Sequence, residues 1–210
     1  RVVRRKNIEL AIDLVDSLNV RENDLSGKLY NGRNFDPNNN EIVLLLSGYV
    51  EKRDERYLDM LGKYAKERGV KLIYLGDDID KEYTLFDIYP YADIITYPSE
   101  YEGFGNQFLE AVFARKPVVL FEYPVFKTDI KDKGFSYLSF GDKVKRQGSL
   151  CKIDSKKMSR LTDEVIEVLK SPDTYQEMIN HNDKIAKKHF SFEQTLKVFR
   201  EMFLDDELVN

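Results

Sequence analysis

The sequence predicts an α/β domain organised as a doubly wound parallel sheet with helices on both faces. Three observations carry this expectation. Short apolar runs lack the alternation of a half-solvated strand, segments of helical period separate them, and a Gly-x-Gly turn lies between one such run and the next helix. Strands alternating with helices imply parallel pairing, and ligands of such sheets bind where the strands end.

The elements follow in order. Ile8, Ala11, Ile12, Val15 and Leu18 recur at helical spacing, so 7–18 is an amphipathic helix. Residues 19–41 are polar, with Gly27, Gly32, Pro37 and an asparagine run, and are expected to form a long mobile loop. Residues 42–47 and 70–75 are continuous apolar runs, expected as buried parallel strands on either side of a helix at 53–68. A short helix is expected at 84–91 and a third strand at 93–97. The helix after the glycine turn runs over 105–115, a fourth strand over 117–121 and a fifth over 135–140. From there the pattern is helical only, at 155–170, 172–189 and 192–204. Pro172 stands in a first turn, and Ser191 is the N-cap of the last helix.

At 210 residues the chain fits one compact domain. Hydrophobic residues make up 42 % of it, and no apolar run approaches membrane-spanning length. A net charge of −4 gives no general attraction to nucleic acid, and the basic clusters at 1–6, 131–133 and 143–146 are first of all solvated surface. The single Cys151 excludes an internal disulfide and fits a reducing compartment. His181 and His189 have no nucleophile beside them, and no metal-ligand cluster is apparent. The expected compartment is the cytoplasm, with membrane-peripheral association left open.

The chemistry concentrates in Pro98-Ser-Glu-Tyr-Glu-Gly-Phe-Gly-Asn-Gln-Phe-Leu-Glu-Ala-Val112. Glu102 and Glu110 flank a glycine turn that opens a helix. The N–H groups of a helix start attract anions, and a glycine lets a ligand approach the backbone. The segment therefore offers a phosphate seat with a carboxylate on each side, suited to sugar hydroxyls. A lone pair of glutamates would more simply be solvated surface; the surrounding frame makes the difference. Phe108, Leu109, Val112 and Phe113 are expected in the core. A dinucleotide fingerprint is disfavoured because Phe108 stands where a third glycine is required.

The stretch Pro98–Ala111 resembles the E-x7-E signature of retaining GT-B glycosyltransferases, in particular glycosyltransferase family 4. The resemblance implies the Rossmann-like C-terminal lobe of a two-lobed enzyme. It assigns the donor hexose to Glu102, the diphosphate to Gly103, Phe104, Gly105, Asn106 and Gln107, and the ribose to Glu110. A family sequence of the type Gly-Arg-Leu-x-x-x-Lys-Gly places an arginine and a lysine on the diphosphate, and Arg1 and Lys6 have that spacing. Asn7 stands where glycine is usual. The other reading of Arg1 and Lys6 is a basic, frayed terminus. In similar folds the nucleobase lies near the loop that Gly76 and Asp77 open, although a plain strand-end turn fits those residues equally. Tyr123-Pro-Val-Phe126 resembles a family variant expected to shape the cleft.

These resemblances lead to expectations. The chain is the donor-binding lobe of a retaining hexosyltransferase, with 1–190 as the nucleotide-sugar domain. A closing helix in 191–210 crosses toward an N-terminal lobe, and the chain itself reads as a fragment of a longer protein. The donor is a nucleoside diphosphate sugar, UDP-hexose or GDP-mannose, and no separate cofactor or metal is expected. The acceptor is a sugar, small molecule or lipid supported by the other lobe. The alternatives are a non-catalytic nucleotide-sugar module and a GT-B nucleotide-sugar epimerase.

Overall fold

The computed structural model describes residues 1–76 and 84–204. Asp77, named above for the nucleobase loop, lies outside the described residues.

A single helical turn at Arg4–Lys6 leads through Asn7, in the left-handed region at φ 44°, into α1 (Glu9–Val20). Helix α1 buries Leu10, Ala11, Ile12, Leu14, Val15 and Leu18. That is more than one face, because it lies between two hydrophobic clusters. The segment expected as a mobile loop is instead packed. A turn at Glu22–Leu25 and an antiparallel pair, β1 (Gly27–Lys28) and β2 (Asn34–Phe35), hold it. Leu25 and Phe35 are core residues, and Tyr30 stacks on Tyr175 with ring centroids 3.7 Å apart. Three separated apolar anchors suffice to order this polar stretch.

Strands β3 (Val43–Leu46) and β4 (Lys71–Tyr74) pair in parallel, with α2 (Glu55–Glu67) connecting them. Both were expected to be fully buried. They are not: Leu44 and Leu46 pack inward with α1 and α2, whereas Val43 and Leu45 are 37 % and 38 % exposed. Helices cover one face of this pair, so its side chains alternate despite an unbroken apolar sequence.

A second parallel sheet has the order β5 (Ile95–Tyr97), β6 (Val118–Phe121), β7 (Leu138–Gly141), with α3 (Asn106–Phe113) crossing from β5 to β6. Strand β6 is central and buried throughout. Its alternation divides the core: Val119 and Phe121 face one hydrophobic cluster, Val118 and Leu120 another. Helices therefore cover both faces of this sheet, as expected of a doubly wound fold. The parallel strands form two separate sheets rather than one. Phe135 precedes the fifth parallel strand instead of opening it.

Beyond β6, a helical stretch at Phe126–Ile130 sets Phe126 edge-on to Phe108 of α3, 5.4 Å between centroids. An antiparallel hairpin, β8 (Lys145–Gln147) and β9 (Leu150–Lys152), falls where only helices were expected. Its first strand is wholly exposed, so no apolar alternation marks it. Helices α4 (Ser155–Lys170), α5 (Pro172–Phe190) and α6 (Phe192–Leu204) follow. Asp154 caps α4 by accepting from the Lys156 and Lys157 amides, and Ser171 and Ser191 cap α5 and α6.

The first residues tie the two parallel sheets together. The Val2 N–H donates to the carbonyl of Tyr49, which follows β3, and the N–H of Glu100, which follows β5, donates to the Arg5 carbonyl, both at 2.9 Å. Residues 1–6 thus lie at the carboxyl ends of the strands, where doubly wound sheets bind ligands.

Candidate functional site

Strand β5 delivers its last residue, the buried Tyr97, beneath the loop 98–105. Within that loop Ser99 is fully buried and donates its hydroxyl to Glu102 Oε1 at 2.5 Å. Lys6 Nζ and Arg5 Nη1 reach the same oxygen, each at 2.8 Å. The Lys6 and Glu102 side chains are 13 % and 12 % exposed, so this is a shielded pair. Lys6 also donates to Gln107 Oε1 and lies 4.8 Å from the Tyr97 ring centroid. One ammonium therefore joins the chain's start, the end of β5 and the first turn of α3.

The environment sets the charges. Burial alone would raise the Glu102 carboxyl, but Lys6, Ser99 and Arg5 together hold it below the usual carboxylate range. Burial lowers the Lys6 ammonium, and Glu102 opposes that shift. Burial and then the Glu102 charge raise the Tyr97 phenol.

Gly105 caps α3 at φ 99°, a conformation that glycine adopts without strain. Beneath it the Tyr123 hydroxyl donates to the Phe104 carbonyl at 3.0 Å. The turn is thereby held from below, and α3 starts at Asn106 with first-turn amides outside the helical ladder. These are groups to which a phosphate binds.

Asn106, Leu109, Glu110 and Phe113 lie at helical spacing on the outer face of α3. With Phe86, Tyr89 and Ala114 they line a shallow cavity of about 500 Å3. Phe113, expected in the core, is 45 % exposed on this face, while Phe108 and Val112 are buried on the other. Tyr89 donates its hydroxyl to Glu110 Oε2 at 3.0 Å. Gly76 follows β4 in a turn at φ 47°.

The structure thus brings together Lys6, Glu102, Gln107 and the Gly103–Asn106 turn. Arg1 is placed differently. Its guanidinium pairs with Glu51 at 2.5 Å, and its backbone nitrogen lies 3.0 Å from where a Cβ on Gly48 would be. Arg5 occupies a position at Glu102 that the family spacing did not single out; its only sequence signal was membership of the basic run. Tyr89 was also missed, and Tyr123 was expected only to shape the cleft, because each acts through one hydroxyl across a fold contact that no local spacing reveals. Among the described residues, no group of three or more His, Cys, Asp or Glu side chains gathers to hold a metal ion. Among the same residues, no helix is long and apolar enough to cross a membrane.

The fold is of the GT-B glycosyltransferase kind. The pneumococcal O-GlcNAc transferase GtfA, solved in complex with UDP and GlcNAc, has the same fold. Its TM-score is 0.59 at 17 % identity, and the match covers 100 % of this chain and 35 % of that one. At the level of sequence, the chain belongs to the family of glycosyl transferases group 1, whose family model matches residues 1–185. A mannosylglucosylglycerate synthase of Thermotoga maritima is 45 % identical over 198 residues, covering 92 % of this chain and 45 % of that protein. The mannosylglucosylglycerate synthase of Petrotoga mobilis is 40 % identical over 180 residues, covering 82 % and 41 %. The chain spans less than half the length of these relatives.

Proposed function

We propose that this chain is the donor-binding lobe of a retaining mannosyltransferase that uses GDP-mannose. The observation that carries this reading is the convergence of Lys6 and Arg5 on Glu102, beside Gln107 and the glycine start of α3. A departing diphosphate develops negative charge. An ammonium, a guanidinium and helix N–H groups fixed beforehand stabilise it with little reorganisation. Glu102 orients the hexose through its hydroxyls, and Glu110 clamps the ribose. Gly76, which follows β4, borders the nucleobase. Arg1 joins the diphosphate by leaving Glu51.

The relatives' name supports the sugar. Their product carries a mannosyl unit on a glucosylglycerate. Of the two donors the sequence left open, GDP-mannose is the mannosyl one. The acceptor is then glucosylglycerate, held largely by an N-terminal lobe. In that arrangement α6 crosses toward the other lobe, and its exposed Phe192, Phe199 and Met202 form part of the junction.

Calorimetric titration of the chain with GDP, UDP, ADP and NAD, repeated with Glu110→Ala, tests the reading. Saturable GDP binding that the substitution weakens is expected. Binding of NAD alone would overturn the reading, and binding of UDP alone would reassign the donor. The anomeric configuration of the full-length protein's product tests retention.

A further inference from the structure

A carboxylate grips a sugar diol in one orientation only if something holds it there, and Glu110 lies on the exposed face of α3. The group that holds it is outside the glutamate motif. Tyr89 donates to Glu110 Oε2 at 3.0 Å from the turn Leu85–Tyr91, which is itself pinned at both ends. At its start the Thr84 N–H and hydroxyl both donate to Asp87 Oδ2, at 2.6 and 2.8 Å. Near its end the Pro90 carbonyl accepts from Lys116 Nζ at 3.0 Å, and Lys116 follows α3 in the chain. The first contacts close the turn on itself, and the last ties it to Lys116, which follows α3, the helix that carries Glu110.

The surroundings give the contact its consequence. Phe86, Leu109, Phe113 and Ala114 form an apolar wall beside Glu110. Without a donor, a carboxylate against such a wall rotates toward water. With one oxygen engaged by the phenol, the plane of the carboxylate is set, and its remaining acceptor capacity points a fixed way. Burial and the neighbouring Glu110 charge raise the Tyr89 phenol, so it stays protonated and donating at neutral pH.

We infer that Tyr89 is a positioning residue that makes the Glu110 site selective for a vicinal diol, the ribose hydroxyls of the nucleoside diphosphate. This rests on the ribose assignment of Glu110 proposed above. Tyr89 touches the carboxylate and acts on the ligand through it.

The test is titration of the chain with GDP and UDP, each beside its 2′,3′-dideoxy counterpart. The unsubstituted chain, Tyr89→Phe, Glu110→Gln and the double variant are compared, with a thermal melt of each. The unsubstituted chain should prefer the ribonucleotide by about tenfold or more, the worth of a charge-assisted hydrogen bond or two. Tyr89→Phe should cut that preference by about threefold to tenfold and leave the dideoxy ligand's affinity within about twofold. Glu110→Gln should abolish the preference. In that background Tyr89→Phe should change nothing, because its effect passes through the carboxylate.

Equal weakening of both ligands by Tyr89→Phe, or an unchanged preference, overturns the inference. The ribose assignment survives either result if Glu110→Gln still removes the preference. No preference in the unsubstituted chain, or no binding of any of the four ligands, overturns both. If Tyr89→Phe melts too early to titrate, Tyr89→Met, which also removes the donor while keeping an apolar side chain, serves instead. The preference should again fall, and Tyr89→Met should change nothing further in the Glu110→Gln background.

Discussion

The hydroxyl of Tyr123 occupies the space where residue 105 would carry a side chain: a Cβ built on Gly105 lies 1.8 Å from that oxygen. Tyr123 is fully buried, and the same hydroxyl donates to Phe104 O. The glycine is thus required twice, by φ 99° and by the phenol. Gly105→Ala should destabilise the chain by about 2–4 kcal/mol, combining left-handed strain with displacement of a buried ring. Thermal melts followed by circular dichroism check this. Adding Tyr123→Phe should recover part of the loss, so a strictly additive double variant would count against the clash.

Asn7 carries the reverse situation. It is fully buried at φ 44°, and among the described residues neither Nδ2 nor Oδ1 has a hydrogen-bond partner. An orphaned buried amide group costs about 1–3 kcal/mol, and glycine adopts this backbone conformation freely. Asn7→Gly, which restores the residue usual in the resembled pattern, should raise the unfolding free energy by about 1 kcal/mol after the small cavity is counted. A lowered midpoint in urea would refute the assignment of Asn7 as unsatisfied.

The charged cluster should be visible in acid. The Glu102 carboxyl is held below its ordinary value of 4.5. A depressed carboxylate contributes stability that is fully present above the unfolded value and is lost as pH falls through the folded one. Glu102→Gln removes that dependence. The difference in stability between the parent chain and this variant should therefore be constant from pH 7 to about 5 and shrink below about 4.5. A difference that grows on acidification would reverse the sign and exclude the ion-pair account.

Among the basic residues the geometry ranks the effects. Lys6→Ala should weaken nucleoside diphosphate binding by about 10- to 100-fold, since Lys6 is shielded and charge-assisted bonds are strong there. Arg5→Ala should cost more than Arg1→Ala, because Arg5 already lies at Glu102 while Arg1 must first release Glu51. Titration of the three variants with GDP reads the order directly.

Local pattern carried much of this molecule. The helices 155–170, 172–189 and 192–204 were legible from period and cap residues, because intrahelical bonds and caps are satisfied by neighbours in sequence. The turn and helix start of the candidate site in 98–112 were legible for the same reason, being local backbone features. Other features depended on residues far apart. Leu25, Tyr30 and Phe35 look like isolated residues in a polar loop until α4 and α5 come to cover them. The alternating exposure of Val43 and Leu45 depends on which face has a covering helix. So does the exposure of Phe113.

The sequence by itself determined the alternation of strands and helices, the caps and the glycine turn between two glutamates, since each follows from interactions within a few residues. Only the tertiary structure decided that Arg5 meets Glu102. It also decided that Tyr123 supports Gly105 and that Tyr89 holds Glu110. Those are single contacts between groups 18 to 97 residues apart in the chain, and their partners are chosen by how the sheets and helices pack.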